Sequence, residues 1–228
     1  IIMPHDAPAN KVANTKAYGA TVIQYERGVE SREAIGERLA QAHGLHLIKP
    51  YDDANVIAGQ GTVGLELAEQ MTDVGARATA LLCCCGGGGL SSGIAVALSE
   101  LRPEIRVHTV EPEGFDDTAR SLALGERISN PTEQGSICDA IVTPTPGELT
   151  FPLLQKHAGS GFAVSDDSVL GAMKTAFDTL KVVVEPGGAV ALAAALDPQN
   201  LPDEKELIVI LSGGNVDKAL FQQVLVIT

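Results

Sequence analysis

The stretch Ala78–Leu90 reads ATALLCCCGGGGL and decides the fold class. Its apolar run, Ala78–Cys85, is typical of a strand that is covered on both faces of a parallel sheet. Four glycines follow, and a helical pattern begins at Ser91. Such glycines let several backbone N–H groups approach one anion, and the start of a helix adds further unpaired N–H groups. The stretch therefore predicts a phosphate-binding turn. The alternative is a plain tight turn, which fewer glycines would satisfy.

Strands and helices alternate along the rest of the chain. Further strands are predicted over residues 20–25, 45–48, 105–110 and 206–211. Helices are predicted over residues 31–43, 64–71, 91–101, 116–125, 165–180 and 188–196. This alternation predicts an α/β fold in which helices flank mostly parallel sheets. A polar segment near residues 51–55 predicts a boundary between a small N-terminal portion, residues 1–52, and a large domain, residues 53–228.

The 228 residues carry a formal net charge of −13 at pH 7. This balance argues against a nucleic-acid partner but allows one small anionic ligand held by backbone N–H groups. No apolar run approaches the length of a membrane-spanning helix. The consecutive Cys83, Cys84 and Cys85 alternate between the faces of a strand, which predicts buried small residues and excludes a shared zinc ion. A reducing, cytoplasmic setting is therefore expected.

Two further segments contain glycines at informative places. Gly59–Gly64 matches the pattern G-x-G-x-x-G, but no adequate strand precedes it and no acidic residue lies about 20 residues further on. We therefore predict a loop that leads into a helix. Ser212–Asn215 follows a predicted buried strand, at the sheet edge where α/β proteins bind ligands. The Ser212 hydroxyl there could make one directed hydrogen bond to a ring atom; a plain strand-end turn is the alternative.

Seven segments together resemble one family. They are Met3–Pro8 with Lys11, Tyr18–Ala20, Val56–Thr62, Gly86–Leu90, Val110–Pro112, Val184–Pro186 and Leu211–Asp217. Their order and spacing resemble the serine/threonine dehydratase and serine racemase family, whose members are pyridoxal-phosphate enzymes with the tryptophan-synthase β-type fold. The resemblance covers essentially the whole chain. It also implies that Gly59–Gly64 is a family landmark and not a dinucleotide site.

The resemblance implies cofactor-binding roles in the large domain. The residues concerned are Gly86, Gly87, Gly88, Gly89, Leu90, Glu185, Ser212 and Gly213. The four glycines and the Leu90 N–H would bind the phosphate of pyridoxal 5'-phosphate, and Ser212 would hydrogen-bond the pyridine nitrogen. Glu185 would lie near the cofactor ring. The alternative for Glu185 is a carboxylate that caps the following helix.

An acidic loop follows the predicted strand 105–110. Glu111 and Asp117 lie six residues apart across a turn and could converge on Mg²⁺ or Ca²⁺. The alternative is helix capping by Asp116 and Asp117. In related enzymes this loop carries a cation, and the resemblance implies that Glu111, the Phe115 carbonyl and Asp117 would be its ligands.

Two features depart from the family pattern. The family's Schiff-base lysine lies in a Ser-x-Lys-x-Arg-Gly segment, and none of the lysines of this chain lies in that context. The N-terminal portion of the family fold is therefore expected to be missing from these residues. Cys138-Asp139-Ala140 stands where relatives have Ala-Asp-Gly.

The resemblance implies a dehydratase (ammonia-lyase) that converts a small β-hydroxy amino acid, such as L-threonine or L-serine, to a 2-keto acid and ammonia. The alternatives are a serine racemase, a hydroxyaspartate-type dehydratase, or a non-catalytic fragment without the Schiff-base lysine. The resemblance further implies a homodimer that acts on a small amino acid, with neither a nucleic-acid nor a membrane partner.

Overall fold

The computed structural model describes residues 1–132, 134–201 and 205–227. Its strands are β1 (Ile2–Pro4), β2 (Ile23–Tyr25), β3 (Ala80–Cys84), β4 (Arg106–Pro112), β5 (Ala158–Val164) and β6 (Leu207–Val209). Its α-helices are α1 (Ala9–Ala17), α2 (Arg32–His43), α3 (Ala54–Val74), α4 (Gly89–Leu101), α5 (Asp117–Leu124), α6 (Thr150–His157), α7 (Asp166–Thr175), α8 (Pro186–Leu196) and α9 (Lys218–Leu225). A π-helical turn, Ala176–Leu180, extends α7. Within these ranges, no helix combines the length and the apolar character that crossing a membrane requires.

Two parallel sheets organise the chain. The larger sheet has the strand order β5-β4-β3-β6, and every neighbouring pair is parallel. The smaller sheet pairs β1 with β2, also in parallel. The α/β architecture with parallel sheets flanked by helices, predicted from the sequence, is thereby confirmed.

Strand β3 is the buried centre of the larger sheet. All five of its residues are buried, and alternate side chains enter different cores. Cys83 packs in the core that contains Ile94 and Leu98 of α4, whereas Cys84 packs in the core that contains Val190 of α8. Both thiols are free, as is that of Cys85. The prediction that these cysteines are small buried residues is confirmed.

Helix α3 corrects the prediction for Gly59–Gly64, which lies within this helix and not in a loop. The helix begins well before residue 64 because the Asp53 carboxylate caps it by accepting from Asn55 N at 2.8 Å. Glycine serves packing here, since a Cβ on Gly64 would lie 2.8 Å from Ala97 Cβ of α4. Close contact between α3 and α4 therefore explains Gly61 and Gly64, two of the three glycines that resemble a dinucleotide motif, whereas a Cβ on Gly59 would meet nothing within 4 Å.

Other predictions were wrong or incomplete. Residues 45–48 form no strand, and Leu45 and Ile48 are largely exposed. Five elements were not predicted, namely β1, α1, α6, β5 and α9. Strand β5 has the sequence AGSGFAV, whose small residues give a weak strand pattern. Its glycine at position 161 is required for space, because a Cβ there would lie 2.6 Å from Ala119 Cα.

The segment around the predicted boundary at residues 51–55 is tied to the larger sheet's surroundings. Asp52 Oδ1 accepts a hydrogen bond from Leu149 N at 2.8 Å. The Tyr51 ring lies against Gly87, and the Cα and Cβ atoms of Tyr51 lie against Gly89. The division into residues 1–52 and 53–228 stays a prediction.

Candidate functional site

A cavity of about 340 Å³ lies where β3 and β6 end. The carboxyl ends of parallel strands meet at one sheet edge, which is where α/β proteins bind ligands. The residues Gly86–Leu90, which follow β3, line this cavity together with Ser212, which follows β6. The structure thus brings the predicted phosphate loop and the predicted ring-binding hydroxyl to one space.

The loop Gly86–Gly89 is shaped for close approach to its backbone. Gly88 has a φ of 91°, which lies in the left-handed region that favours glycine. A Cβ on Gly87 would collide with the Tyr51 ring. Helix α4 has no side-chain cap, and no backbone N–H of residues 86–90 donates a hydrogen bond to another described residue. These N–H groups therefore remain available to an anion.

Ser212 is held by its neighbours on β3 and α8. Its Oγ lies 3.0 Å from Cys84 Sγ, and its carbonyl group lies so close to Gly188 that a Cβ there would collide with it. Gly213 has a φ of 74°, and its carbonyl accepts from Glu185 N at 3.0 Å. The close packing fixes the backbone that carries the Ser212 hydroxyl.

Glu185 lies beside Gly213 but is not among the residues that line the cavity. Its side chain makes no cap hydrogen bond to α8, so the capping alternative finds no support. Its Oε2 lies 3.0 Å from Lys11 Nζ, an ion pair without hydrogen-bond geometry, and Lys11 Nζ also lies 3.0 Å from Asp139 Oδ2. Burial lowers the pKa of Lys11, but the two carboxylates outweigh burial and raise it above its ordinary value. The Lys11 amine is therefore protonated.

In the acidic loop, Glu111 closes the start of helix α5. Its Oε1 accepts from Thr118 N at 3.0 Å and its Oε2 accepts from Ala119 N at 2.8 Å. The Asp116 side chain makes no cap hydrogen bond, so a carboxylate from the preceding strand caps this helix in place of the expected Asp116 or Asp117. Phe115 is buried beside them.

Asp117 is buried close to Glu111. Its Oδ1 accepts from Asn130 Nδ2 at 2.6 Å, whereas its Oδ2 has no hydrogen-bond partner among the described residues. Burial raises the pKa of Asp117 to about 7, and burial together with the Asp117 charge raises the pKa of Glu111 well above its ordinary value. Both Glu111 oxygens already accept N–H groups, so the geometry favours a proton on Asp117.

The predicted cation ligands are therefore neighbours, but they supply few side-chain ligands. Over residues 1–132, 134–201 and 205–227, no three His, Cys, Asp or Glu side chains come together as a metal site. A cation at Glu111 and Asp117 would need backbone carbonyls and water to complete its shell. The site stays a prediction.

Sequence reasoning missed residues of the N-terminal portion that line the cavity, two arginines and a tyrosine among them. Arg27, Arg32 and Tyr51 all do so, and both arginines also pair with acidic groups, Asp6 and Glu33 respectively. Burial raises the pKa of Tyr51. A signal in the sequence could have indicated the two arginines: in an otherwise acidic chain, Arg27 follows β2 closely and Arg32 begins α2. Only the folded position of the small sheet places them beside the glycines.

Known proteins share this arrangement of elements. The family model for pyridoxal-phosphate dependent enzymes matches residues 1–213. The chain is 39% identical over 228 residues to serine racemase of Dictyostelium discoideum, covering 99% of this chain and 69% of that protein. It is 42% identical over 217 residues to L-threo-3-hydroxyaspartate ammonia-lyase of Saccharomyces cerevisiae, covering 95% of this chain and 65% of that protein.

A solved structure agrees with these similarities. Serine racemase of maize superposes with a TM-score of 0.88 at 38% identity, covering 98% of this chain and 68% of that one. The chain therefore spans about two thirds of the length of the relatives it matches. The family resemblance predicted from the seven segments is confirmed, and with it pyridoxal phosphate as the family's cofactor. This chain belongs to the pyridoxal-phosphate dependent enzyme family of lyases and racemases with the tryptophan-synthase β-like fold.

Proposed function

We propose that this chain provides the cofactor site of a dehydratase (ammonia-lyase) that converts a small β-hydroxy amino acid, such as L-threonine or L-serine, to a 2-keto acid and ammonia. One observation carries the proposal. The uncapped glycine loop and the Ser212 hydroxyl line the same cavity. One end of that cavity suits a phosphate and another suits a neutral heteroaromatic nitrogen.

The residues fit pyridoxal 5'-phosphate in size and chemistry. The cavity volume of about 340 Å³ lies within the usual range for small ligands. The phosphate would lie at Gly86–Leu90, whose backbone N–H groups have no partner among the described residues and where the start of α4 attracts an anion. The pyridine nitrogen would meet Ser212. When bound, the cofactor withdraws electrons from the α-carbon of the substrate.

The choice of Ser212 favours elimination. A neutral hydroxyl donates one hydrogen bond to the pyridine nitrogen, but it does not balance a positive charge there as a carboxylate would. A nitrogen held by Ser212 in this way would stay unprotonated, and the ring would withdraw electrons less strongly. Such a site suits the rapid loss of a β-hydroxyl better than reactions that store charge on the ring.

The proposal assigns cofactor holding, and not amine chemistry, to these residues. Lys11 is the described lysine that pairs with Glu185, but its two carboxylate partners keep it protonated and therefore a poor nucleophile. Lys11 would instead hold the N-terminal portion against Asp139 and Glu185. In this role it connects the small sheet to the cavity edge.

A second candidate is a dehydratase for 3-hydroxyaspartate. Arg27 and Arg32 both line the cavity, and a guanidinium pairs well with a carboxylate. A dicarboxylic substrate would use two such groups, whereas serine or threonine needs one. The relative of Saccharomyces cerevisiae that is named for this activity is among the most similar proteins.

We also propose that Glu111, the Phe115 carbonyl and Asp117 bind Mg²⁺ or another divalent cation. The support is the unpartnered Oδ2 of Asp117, whose raised pKa marks an unfavourable buried charge. A cation there would replace the proton. The homodimer remains a prediction from the resemblance, and the cytoplasmic location remains a prediction from the cysteines.

Product analysis tests the proposal. The protein isolated from its natural source should be incubated with L-serine, L-threonine and L-threo-3-hydroxyaspartate, and its 2-keto acid, ammonia and D-amino acid should be measured. We expect keto acid and ammonia in equal amounts. D-serine without ammonia would replace the dehydratase with a racemase, and turnover of hydroxyaspartate alone would favour the second candidate.

Cofactor binding by this chain is tested separately, by titrating the purified 228 residues with pyridoxal 5'-phosphate and following absorbance after dialysis. The Ser212→Ala variant should bind about three- to tenfold more weakly, as expected for one hydrogen bond. Saturable binding that Ser212→Ala leaves unchanged would contradict the assignment of Ser212 to the pyridine nitrogen.

A further inference from the structure

One polar contact on the cavity wall has no part in the function proposed above. Cys84 Sγ lies 3.0 Å from Ser212 Oγ, and either atom could be the donor. Both residues line the cavity. Cys84 is the last residue of β3, one position before Cys85 and the glycine loop, so its place is fixed by the sheet.

The direction of this hydrogen bond decides what Ser212 can offer to a ligand. A thiol and a hydroxyl each carry one proton, and sulfur is a much weaker acceptor than a hydroxyl oxygen. If Ser212 donates to Cys84, its proton is spent on the weaker acceptor. If Cys84 donates to Ser212, the acceptor is the hydroxyl oxygen, which accepts better than sulfur, and the Ser212 proton stays free for another partner.

We propose that Cys84 is a positioning residue for Ser212: its S–H donates to Ser212 Oγ and leaves the Ser212 hydroxyl proton for the pyridine nitrogen of the cofactor. The inference rests on the proposed function, which places Ser212 beside that nitrogen. Its consequence is a nitrogen that is held as a hydrogen-bond acceptor, and therefore unprotonated.

The surrounding ionisable groups set the condition for this role, which needs a neutral thiol. The pKa of the Cys84 thiol lies below its ordinary value: hydrogen bonds with Cys83 and Ser212 lower it, whereas burial and the Glu185 charge oppose ionisation of the thiol. Glu185 is paired with Lys11, which in turn is paired with Asp139. Cys138 lies in the same core as Cys84, and burial raises the pKa of the Cys138 thiol to about 12, so this group is uncharged. The ultraviolet absorbance of a thiolate at Cys84 under the conditions of the test would contradict the proposal.

The test reads the protonation of the cofactor nitrogen directly. Pyridoxal 5'-phosphate labelled with ¹⁵N in the ring is bound to the purified chain, and the ¹⁵N shift is followed over roughly pH 6 to pH 9. In Cys84→Ala the ring nitrogen should gain a proton more readily, with a proton-binding constant about three- to tenfold larger than in the parent chain. Cys84→Ser restores a donor and should return the constant toward that of the parent.

Cys83→Ala is the matched control, since it removes the same atoms from the same strand on the opposite face. Without the Cys83 hydrogen bond the pKa of Cys84 rises, so the Cys84 thiol stays neutral and the variant should match the parent chain. If Cys84→Ala does not fold, Cys84→Val supplies a similar volume without a donor. An unchanged titration in the Cys84 variants, with a shifted one in Ser212→Ala, would overturn the role of Cys84 and leave the proposed function standing. An unchanged titration in Ser212→Ala would overturn the proposed function itself.

Discussion

Two neighbouring turns of the larger sheet treat the unpaired N–H groups at the start of a helix in opposite ways. Strands β3 and β4 run in parallel with Cys84 opposite Val110, and each leads into a helix at the same edge. After β4, the carboxylate of Glu111 fills the start of α5 by accepting two backbone N–H groups. After β3, three glycines precede α4, whose first residue is the fourth glycine, and no side chain caps its start. The comparison supports the proposal that an anion site is made by leaving out the group that would otherwise cap the helix.

The largest expected effect comes from blocking the turn after β3, which has no side-chain cap. Gly88→Val would place a branched side chain at a φ of 91° and within 2.9 Å of Thr150 Oγ1. Two or more charge-assisted N–H contacts to phosphate would be lost, so binding of pyridoxal 5'-phosphate should weaken by about 100-fold or more. Equilibrium dialysis against the parent chain measures this.

Gly75→Val is the control for Gly88→Val. Gly75 also has a positive φ, 68°, but a Cβ there meets nothing within 4 Å and α3 ends far from the cavity lining. It should lower the melting temperature through backbone strain without changing cofactor affinity. Equal losses of affinity in both variants would mean that the effect of Gly88→Val is general destabilisation.

Removing the Glu111 cap from the turn after β4 should lower the stability of the fold and leave cofactor binding unchanged. Glu111→Ala removes the acceptor for Thr118 N and Ala119 N and leaves one buried and one partly buried N–H group unpaired. The free energy of unfolding should fall by about 1–3 kcal/mol, measured by urea denaturation. Cofactor affinity should stay within about twofold of the parent, because the substitution removes no hydrogen bond to the cofactor. The loss of one such hydrogen bond would change the affinity by more than that. A large loss of affinity would show that the two turns do not act separately.

The turn after β4 also predicts how the stability of the fold depends on pH. The pKa of Asp117 is about 7 in the folded chain, against an ordinary value of 3.8, so the folded state holds a proton that the unfolded state has released between these values. Stability from this group is therefore greatest at low pH and falls as the pH rises through about 7. The parent chain should lose about 1–3 kcal/mol relative to Asp117→Asn between roughly pH 5 and pH 8; the upper figure is close to the roughly two pH units between pH 5 and the folded pKa, at about 1.4 kcal/mol per unit.

Magnesium sharpens this pH prediction. If Glu111 and Asp117 bind the cation, adding Mg²⁺ should raise the melting temperature of the parent chain at about pH 8, where Asp117 is ionised, and much less at about pH 5. Asp117→Asn should not respond at either pH. A parent chain that is insensitive to Mg²⁺ would remove the proposed cation site while leaving the proton on Asp117 intact.

The smallest effect is expected for the link between the two sheets. Lys11→Met would remove the ion pairs with Asp139 and Glu185 but keep the apolar stem. These are half-buried pairs, so the free energy of unfolding should fall by only about 1 kcal/mol. Cofactor affinity should fall by less than about threefold, roughly half of the free energy of one hydrogen bond. A control at Lys174→Met, which breaks an exposed helix pair with Asp178, should change neither.

The turn after β3 could be predicted from the sequence, whereas the capping of the turn after β4 could not. A strand, four glycines and a helix follow one another at Ala78–Leu90, so local order alone predicts the phosphate loop. The acceptor role of Glu111 depends on a long-range fact, namely how β4 and α5 approach each other, and local sequence favoured the adjacent Asp116 instead. The same limit applies to Gly59–Gly64, where packing against α4 and not the motif decides the conformation.

The cavity was only partly predictable for a related reason. Ser212 was found because it follows a strong strand pattern, and strand ends are where ligands bind. Arg27 and Arg32 reach the cavity through a two-stranded sheet whose strands have three residues each, too short for a periodic signal. The Cys84–Ser212 contact joins residues 128 positions apart, and no local pattern could indicate it.

The central claim is that the turn after β3 holds an anion and the turn after β4 does not. Amide resonances of the ¹⁵N-labelled chain, followed while pyridoxal 5'-phosphate is added, test it most directly. We predict saturable shifts for Gly86, Gly87, Gly88, Gly89 and Leu90, whereas Thr118 and Ala119, already bonded to Glu111, stay in place. Shifts at Thr118 and Ala119 with unmoved glycines would contradict the account.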